Sequence, residues 1–172
     1  WYGWISYYYS RAFRQTRRIN EGRIYPAFQD RPHDFAFFLH YQPKPRLEMS
    51  FYWTSYNGSP FTSPTGFFDF NGSTVPIYGQ RNNDRLPNYH RLDYSLRYVL
   101  KQPKNKRFSH DLTLSINNVL AHKNVFAIKF NKVPQLTGNP AVASNVLLDQ
   151  TQESTQLFLV QFLPSLTYRF NL

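Results

Sequence analysis

The chain has 172 residues, enough for one domain, but its 19% aromatic content with a mean hydropathy of −0.55 and a formal charge of +10 does not read as an ordinary soluble core. It contains no cysteine, which excludes disulfides, Cys-based zinc sites and thiol chemistry, and no apolar run approaches the roughly 18–20 residues of a transmembrane helix. So many rings in a polar chain suit a sheet with one face toward lipid and the other toward water.

Helical periodicity is almost absent, and period two is the repeating signal. The chain opens inside strand-like sequence, "WYGWISYYYS", with neither a Met start nor a signal peptide, so Trp1 is not expected to be the natural N-terminus. In that segment Ile5, Tyr7 and Tyr9 oppose Trp4, Ser6, Tyr8 and Ser10, and rings on both sides leave its facing open. A basic cluster follows: Arg11, Arg14, Arg17, Arg18 and Arg23.

"HDFAFFLHYQ" sorts Phe35, Phe37, Leu39 and Tyr41 from Asp34, Ala36, Phe38, His40 and Gln42. After the short break "PKPR", Leu47, Met49, Phe51 and Trp53 alternate with Glu48, Ser50, Tyr52 and Thr54. "RLPNYHRLDYSLRYVL" then interleaves Leu92, Tyr94, Leu96, Tyr98 and Leu100 with Arg91, Asp93, Ser95, Arg97 and Val99. After "KQPKNK", Leu112, Leu114 and Ile116 are sorted from Asp111, Thr113, Ser115 and Asn117. The C-terminal "QLFLVQFLPSLTYRFNL" reads as one strand with Phe158, Val160, Phe162, Leu166, Tyr168, Phe170 and Leu172 on one parity. Gln161, Ser165, Thr167, Arg169 and Asn171 fall on the other.

Across these five segments the bulky parity carries no charge, whereas Asp34, Glu48, Arg91, Asp93, Arg97, Asp111 and Arg169 share the opposite one. A Lys or Arg facing lipid costs about 2–4 kcal/mol at mid-bilayer, so a membrane barrel selects for this segregation. A soluble sandwich alternates as well. Connection lengths discriminate: the joins at 43–45 and 101–106 are short, those near 11–32, 58–89 and 119–155 are long, and the two kinds alternate. Outer-membrane barrels have short periplasmic turns and long extracellular loops. "TGFFDFNG" and "NVFAIKFNK", inside long connections, are expected to extend hairpins beyond the membrane rather than cross it.

Several stretches together resemble the C-terminal barrel of TonB-dependent outer-membrane receptors, particularly the SusC-like receptors of Bacteroidota. They are "NEGRIYPAFQDRPHDF", "GSPFTSPTG", "RLPNYHRLDYSL", "LSINNVLAHKNVFAIKF" and "PSLTYRFNL", in that order. The resemblance implies an all-β, antiparallel transmembrane β-barrel of about 22 strands, of which these would be the last six. The plug domain and the rest of the barrel would lie outside this chain. It further implies no enzymatic activity and no cofactor. The implied function is proton-motive-force-driven import of a bulky or scarce solute such as an iron chelate, vitamin, oligosaccharide or peptide. The implied partners are outer-membrane lipid and lipopolysaccharide, the protein's own plug, the TonB complex and a SusD-like or other surface lipoprotein, with the C-terminus periplasmic. The family's last strand usually ends on an aromatic residue, and this chain departs from that with Asn171 and Leu172 after Phe170.

On this reading Asp34, His40, Glu48, Arg91, Asp93, Arg97, Asp111 and Arg169 face a polar lumen, where the acids and arginines form struts between adjacent strands. Phe35, Phe37, Leu39, Leu47, Met49, Phe51, Leu92, Tyr94, Leu96, Leu112, Leu114, Ile116, Tyr168 and Phe170 face lipid. Tyr41, Tyr56, Tyr98 and Tyr168 suit interfacial girdles. The cluster Arg11, Arg14, Arg17, Arg18 and Arg23 reads either as a contact for lipopolysaccharide phosphate or an anionic ligand, or as a solvated loop surface. His33, His40, His90, His110 and His122 lack a ligand spacing, which favours structural or interfacial roles over a metal. A nucleic-acid partner is disfavoured, because the aromatics follow strand periodicity instead of clustering with the basic residues. Two alternatives stay open: a scaffold barrel that holds surface lipoproteins in a larger complex, and a soluble sandwich.

Overall fold

The computed structural model describes residues 1–71, 73–101, 109–132, 152–159 and 161–171. It is an all-β structure with 66% strand, and the pairings are antiparallel. Six long strands, β1 (Tyr2–Tyr9), β4 (His33–Lys44), β5 (Leu47–Tyr56), β10 (Tyr89–Lys101), β11 (Ser109–Asn117) and β14 (Leu163–Asn171), form one meandering sheet in the order β1-β4-β5-β10-β11-β14. They run 8 to 13 residues, longer than the usual 5–6 and around the roughly 9–11 that cross a bilayer. The sheet is open, with β1 and β14 at its edges.

Four small two-stranded sheets complete the described structure. β2 (Phe13–Arg14) pairs with β3 (Tyr25–Pro26), and β6 (Pro60–Phe61) with β9 (Asp84–Arg85). β7 (Pro64–Phe70) pairs with β8 (Ser73–Tyr78), and β12 (Val125–Lys132) with β13 (Gln152–Phe158). All four lie in the long connections 10–32, 57–88 and 118–162, which leave the same end of the large sheet. The β4–β5 join, the C-terminal end of β10, the N-terminal end of β11 and both ends of the described chain lie at the opposite end. The expected turn at "KQPKNK" falls mostly on residues 102–108, outside the described residues.

Directly paired residues share a face, so register sorts the side chains. One face carries Ile5 and Tyr7 of β1, then Phe35, Phe37 and Leu39 of β4, opposite Ser55, Trp53 and Phe51 of β5. It continues as Met49–Leu96–Leu114–Leu166 and Leu47–Tyr98–Leu112–Tyr168. The open question about the first segment is thereby answered: Ile5, Tyr7 and Tyr9 lie on this apolar face, with Trp4 and Tyr8 on the other.

No second layer of described residues covers the apolar face. Ile5 is 69% exposed and Leu166 67%, and the buried hydrophobic residues, Tyr25, Ala27, Phe67 and Val99, all lie elsewhere. A sandwich would bury this face against a second sheet about 10 Å away.

Two expectations need correction. The C-terminal segment is two strands: Gln152–Phe158 pairs with β12, and only Leu163–Asn171 joins β11. β11 offers nine partners, so a seventeen-residue alternation cannot pair along its whole length, and Phe158 and Phe162 are not on the wall strand. Val160 and Leu172 lie outside the described residues. Tyr56 is not on the apolar face; it pairs with Asp34 and Tyr89 on the polar parity.

Candidate functional site: the polar face and the loops above it

The polar face is built in rows that cross the strands. Nearest the long loops, Tyr8, Asp34, Tyr56 and Tyr89 are successive partners. Further down come Trp4–Phe38–Tyr52–Asp93 and then His40–Ser50–Ser95–Ser115–Ser165, a run of hydroxyls across four strands. His40 Nδ1 is 3.2 Å from Ser50 Oγ, and the Ser95 and Ser115 hydroxyls are 3.4 Å apart. Below them Arg97 ties three strands together, with Nη1 3.2 Å from Glu48 Oε2 on β5 and Nη2 3.2 Å from Asp111 Oδ1 on β11. These are the expected cross-strand struts. Arg91 differs, pairing at 2.6 Å with Asp93 two residues along its own strand. Arg169 is the register partner of Asp111.

Three histidines on the apolar parity, at or near the strand ends, meet hydroxyls across strand pairs: His33 with Tyr7 at 2.8 Å, His90 with Ser55 at 2.8 Å and His110 with Tyr168 at 2.6 Å. Each is satisfied locally, which accounts for their scattered positions in the sequence.

Above the sheet, Asp30 joins two loops. Its side chain is fully buried and accepts from the Ala12 amide at 2.7 Å and Arg11 Nε at 3.2 Å in the first long loop, and from Arg85 Nη2 in the second. Arg85 Nη1 also donates to the Asp30 carbonyl at 2.6 Å and to the Gly58 carbonyl at 3.2 Å. Burial by itself would push the Asp30 carboxyl up. The Ala12 amide and then the Arg85 and Arg11 guanidinium groups outweigh it and hold the carboxyl below the ordinary aspartate range. Asn82 adds a further link, donating to the Pro26 carbonyl at 2.6 Å, and the Arg81 amide donates to Asn20 Oδ1 at 2.6 Å.

The third long loop is tied to β10. Asn118 takes a left-handed φ of 54°, a conformation Asn tolerates, and so turns the chain out of β11. Its amide donates to Asp93 Oδ1 at 2.9 Å, and its Nδ2 donates to the His122 and Gln161 carbonyls. Its Oδ1 is buried without a donor among the described residues. Asn124 imitates a strand, accepting from the His90 amide and donating to the His90 carbonyl, each at 2.9 Å.

Between the three loops and the top of the polar face lies a cavity of about 470 Å³. Phe28, Leu86, Pro87, Val125 and Phe126 supply apolar walls. Tyr56 and Tyr89, which also line it, stack in parallel with centroids 4.5 Å apart and planes at 2°. The Arg31 guanidinium lies 4.5 Å from the Tyr56 ring centre, so Tyr56 contacts both Arg31 and Tyr89.

Of the basic cluster, Arg11 is bound by Asp30 and Arg23 by Glu21 at 2.8 Å. Arg14, Arg17 and Arg18 are exposed and have no ion pair among the described residues. Sequence reasoning missed Asp30, Asn118, Arg31 and the Tyr56–Tyr89 stack. The density of Asn and Asp in the long connections was the available signal, because these side chains bond to backbone in loops.

No known protein family, curated protein or solved structure matches this chain.

Proposed function

We propose that this chain is the C-terminal wall of a TonB-dependent, SusC-like transporter in a bacterial outer membrane, importing a bulky or scarce solute at the expense of the inner-membrane proton gradient. The apolar face lies against lipid, the polar face lines the lumen, and the loops carrying the cavity are extracellular. The observation that carries the reading is the segregation of the strand carboxylates and arginines onto one face of the six-stranded sheet, with the apolar face uncovered by described residues and all three long loops at one end. An uncovered apolar sheet is costly in water, and lipid removes that cost. The two open edges require further strands from the rest of the protein, since unpaired backbone is not viable in lipid. The barrel performs no covalent chemistry; the wall and loops bind, and the plug outside this chain moves.

The chain has no cysteine, so single-cysteine labelling tests the topology cleanly. In intact cells of a strain with the protein in its outer membrane, Ser95→Cys reacts with a small water-soluble maleimide and Leu96→Cys is shielded. Equal reactivity at both positions would defeat the assignment of faces. Uptake that stops with a protonophore supports transport, and persistent uptake in its presence argues against it.

A further inference from the structure

We propose that the cavity between the three long loops binds a small organic anion, a single carboxylate carried on a flat apolar body. Its volume of about 470 Å³ lies within the range of small-molecule sites, and its walls combine apolar surface with few polar groups, as such sites do.

The charge of the ligand follows from Arg31. Two arginines line the cavity, and Arg91 is already neutralised by Asp93. Arg31 has no carboxylate partner among the described residues; it donates from Nε to the Ser59 hydroxyl at 3.3 Å and rests on the Tyr56 ring. Arg11 and Arg85, by contrast, share the Asp30 carboxylate, and Arg97 pairs with Glu48 and Asp111. The Tyr56 ring and the Ser59 hydroxyl hold the guanidinium before a ligand arrives, and its terminal N–H groups have no hydrogen-bond partner among the described residues, which leaves them for a bidentate carboxylate. One unmatched cation favours a monoanion, because a dianionic phosphate would leave a second charge uncompensated against apolar walls.

The body of the ligand follows from the rest of the lining. Phe28 and Phe126 present exposed rings, and Leu86 with Pro87 adds a low apolar wall. A flat hydrocarbon ring covers these surfaces with little loss of rotational freedom. The proposal rests on the cavity alone, and it holds or fails independently of transport.

The test is equilibrium dialysis of the whole protein that contains this wall, purified in detergent micelles, against 2-naphthoate and the neutral 2-naphthamide, with protein-free micelles correcting for partition. Saturable binding of naphthoate in preference to the amide is expected. Arg31→Gln should weaken naphthoate binding about tenfold and the amide by much less. Phe126→Asp, at an exposed ring with little part in folding, should repel naphthoate while affecting the amide less. Absence of saturable naphthoate binding, equal binding of the two probes, or indifference of naphthoate to both substitutions would overturn the proposal.

Discussion

Arg97 and Asp111 are bonded diagonally: Nη2 of Arg97 lies 3.2 Å from Oδ1 of Asp111, although the register partner of Arg97 across β10 and β11 is Thr113. Asp111 is 2% exposed, so the carboxylate depends on this partner, while the Arg97 side chain keeps 39% of its surface. Breaking a buried pair from one side costs about 3–5 kcal/mol, and solvent access to Arg97 lowers that range. Arg97→Met should therefore destabilise the sheet by roughly 2–3 kcal/mol in denaturant titration of the detergent-folded protein. The double change Arg97→Met with Asp111→Leu should recover most of the loss, because no charge is then left stranded.

The Asp30 junction gives a pH dependence of definite sign. Its folded carboxyl lies below the ordinary aspartate value, so its stabilisation is complete above the unfolded value near 3.8 and is lost as pH falls through the lower folded value. Hydrogen exchange should show loops 10–32 and 57–88 loosening together below about pH 4, with the six-stranded sheet still protected. Asp30→Asn should loosen both loops already at pH 7 and flatten the pH response.

Neighbouring residues of β10 separate the two faces. Leu96→Arg should lower the yield of protein folded into lipid vesicles, at a cost of about 2–4 kcal/mol for a position near mid-bilayer. Ser95→Arg, one residue away on the hydroxyl row, should fold nearly as well as the parent chain. The opposite order of yields would invert the assignment of lipid and lumen.

At Gly58 the backbone of one arm of the second long loop packs directly against that of the other. A Cβ at this position would run into the Leu86 carbonyl, so even alanine must push the strands β6 and β9 apart. Gly58→Ala should cost about 1–3 kcal/mol locally, an overpacking penalty. It should be visible as faster amide exchange at Leu86, whose N–H donates to the Ser59 carbonyl at 3.1 Å, with β4, β5 and β10 unaffected.

The wall was legible in the sequence because strand parity is a local property: Leu92 to Tyr98 alternate with Arg91 to Arg97 whatever they pair with. Register is partly local too, since a one-residue slip would carry Glu48 or Arg97 onto the apolar face. The breaks were less visible. The period-two signal runs on through Phe158 and Phe162, and only the length of β11 shows where the wall strand begins. Tyr56 was misplaced because an aromatic at a strand end suggests a girdle, yet its parity with Thr54 puts it beside Tyr89. The loop cluster was invisible because it depends on contacts far apart in the chain: Asp30 meets Arg85, and Asn118 meets Gln161. No local pattern marks one aspartate in "FQDRPHDF" as fully buried and leaves the next, Asp34, on the face of a strand.

The row Ser50–Ser95–Ser115–Ser165 has a consequence for the bore of a closed wall. Short side chains leave the passage wide at that level, and the row just above, toward the loops, projects Trp4, Phe38 and Tyr52 inward. On the proposed reading, a solute descending along this wall would pass the tyrosines Tyr8, Tyr56 and Tyr89, then the rings of Trp4, Phe38 and Tyr52, and only then a belt of hydroxyls able to exchange hydrogen bonds with water. Enlarging one serine would throttle the wide belt, and trimming Trp4 would open the level of rings above it.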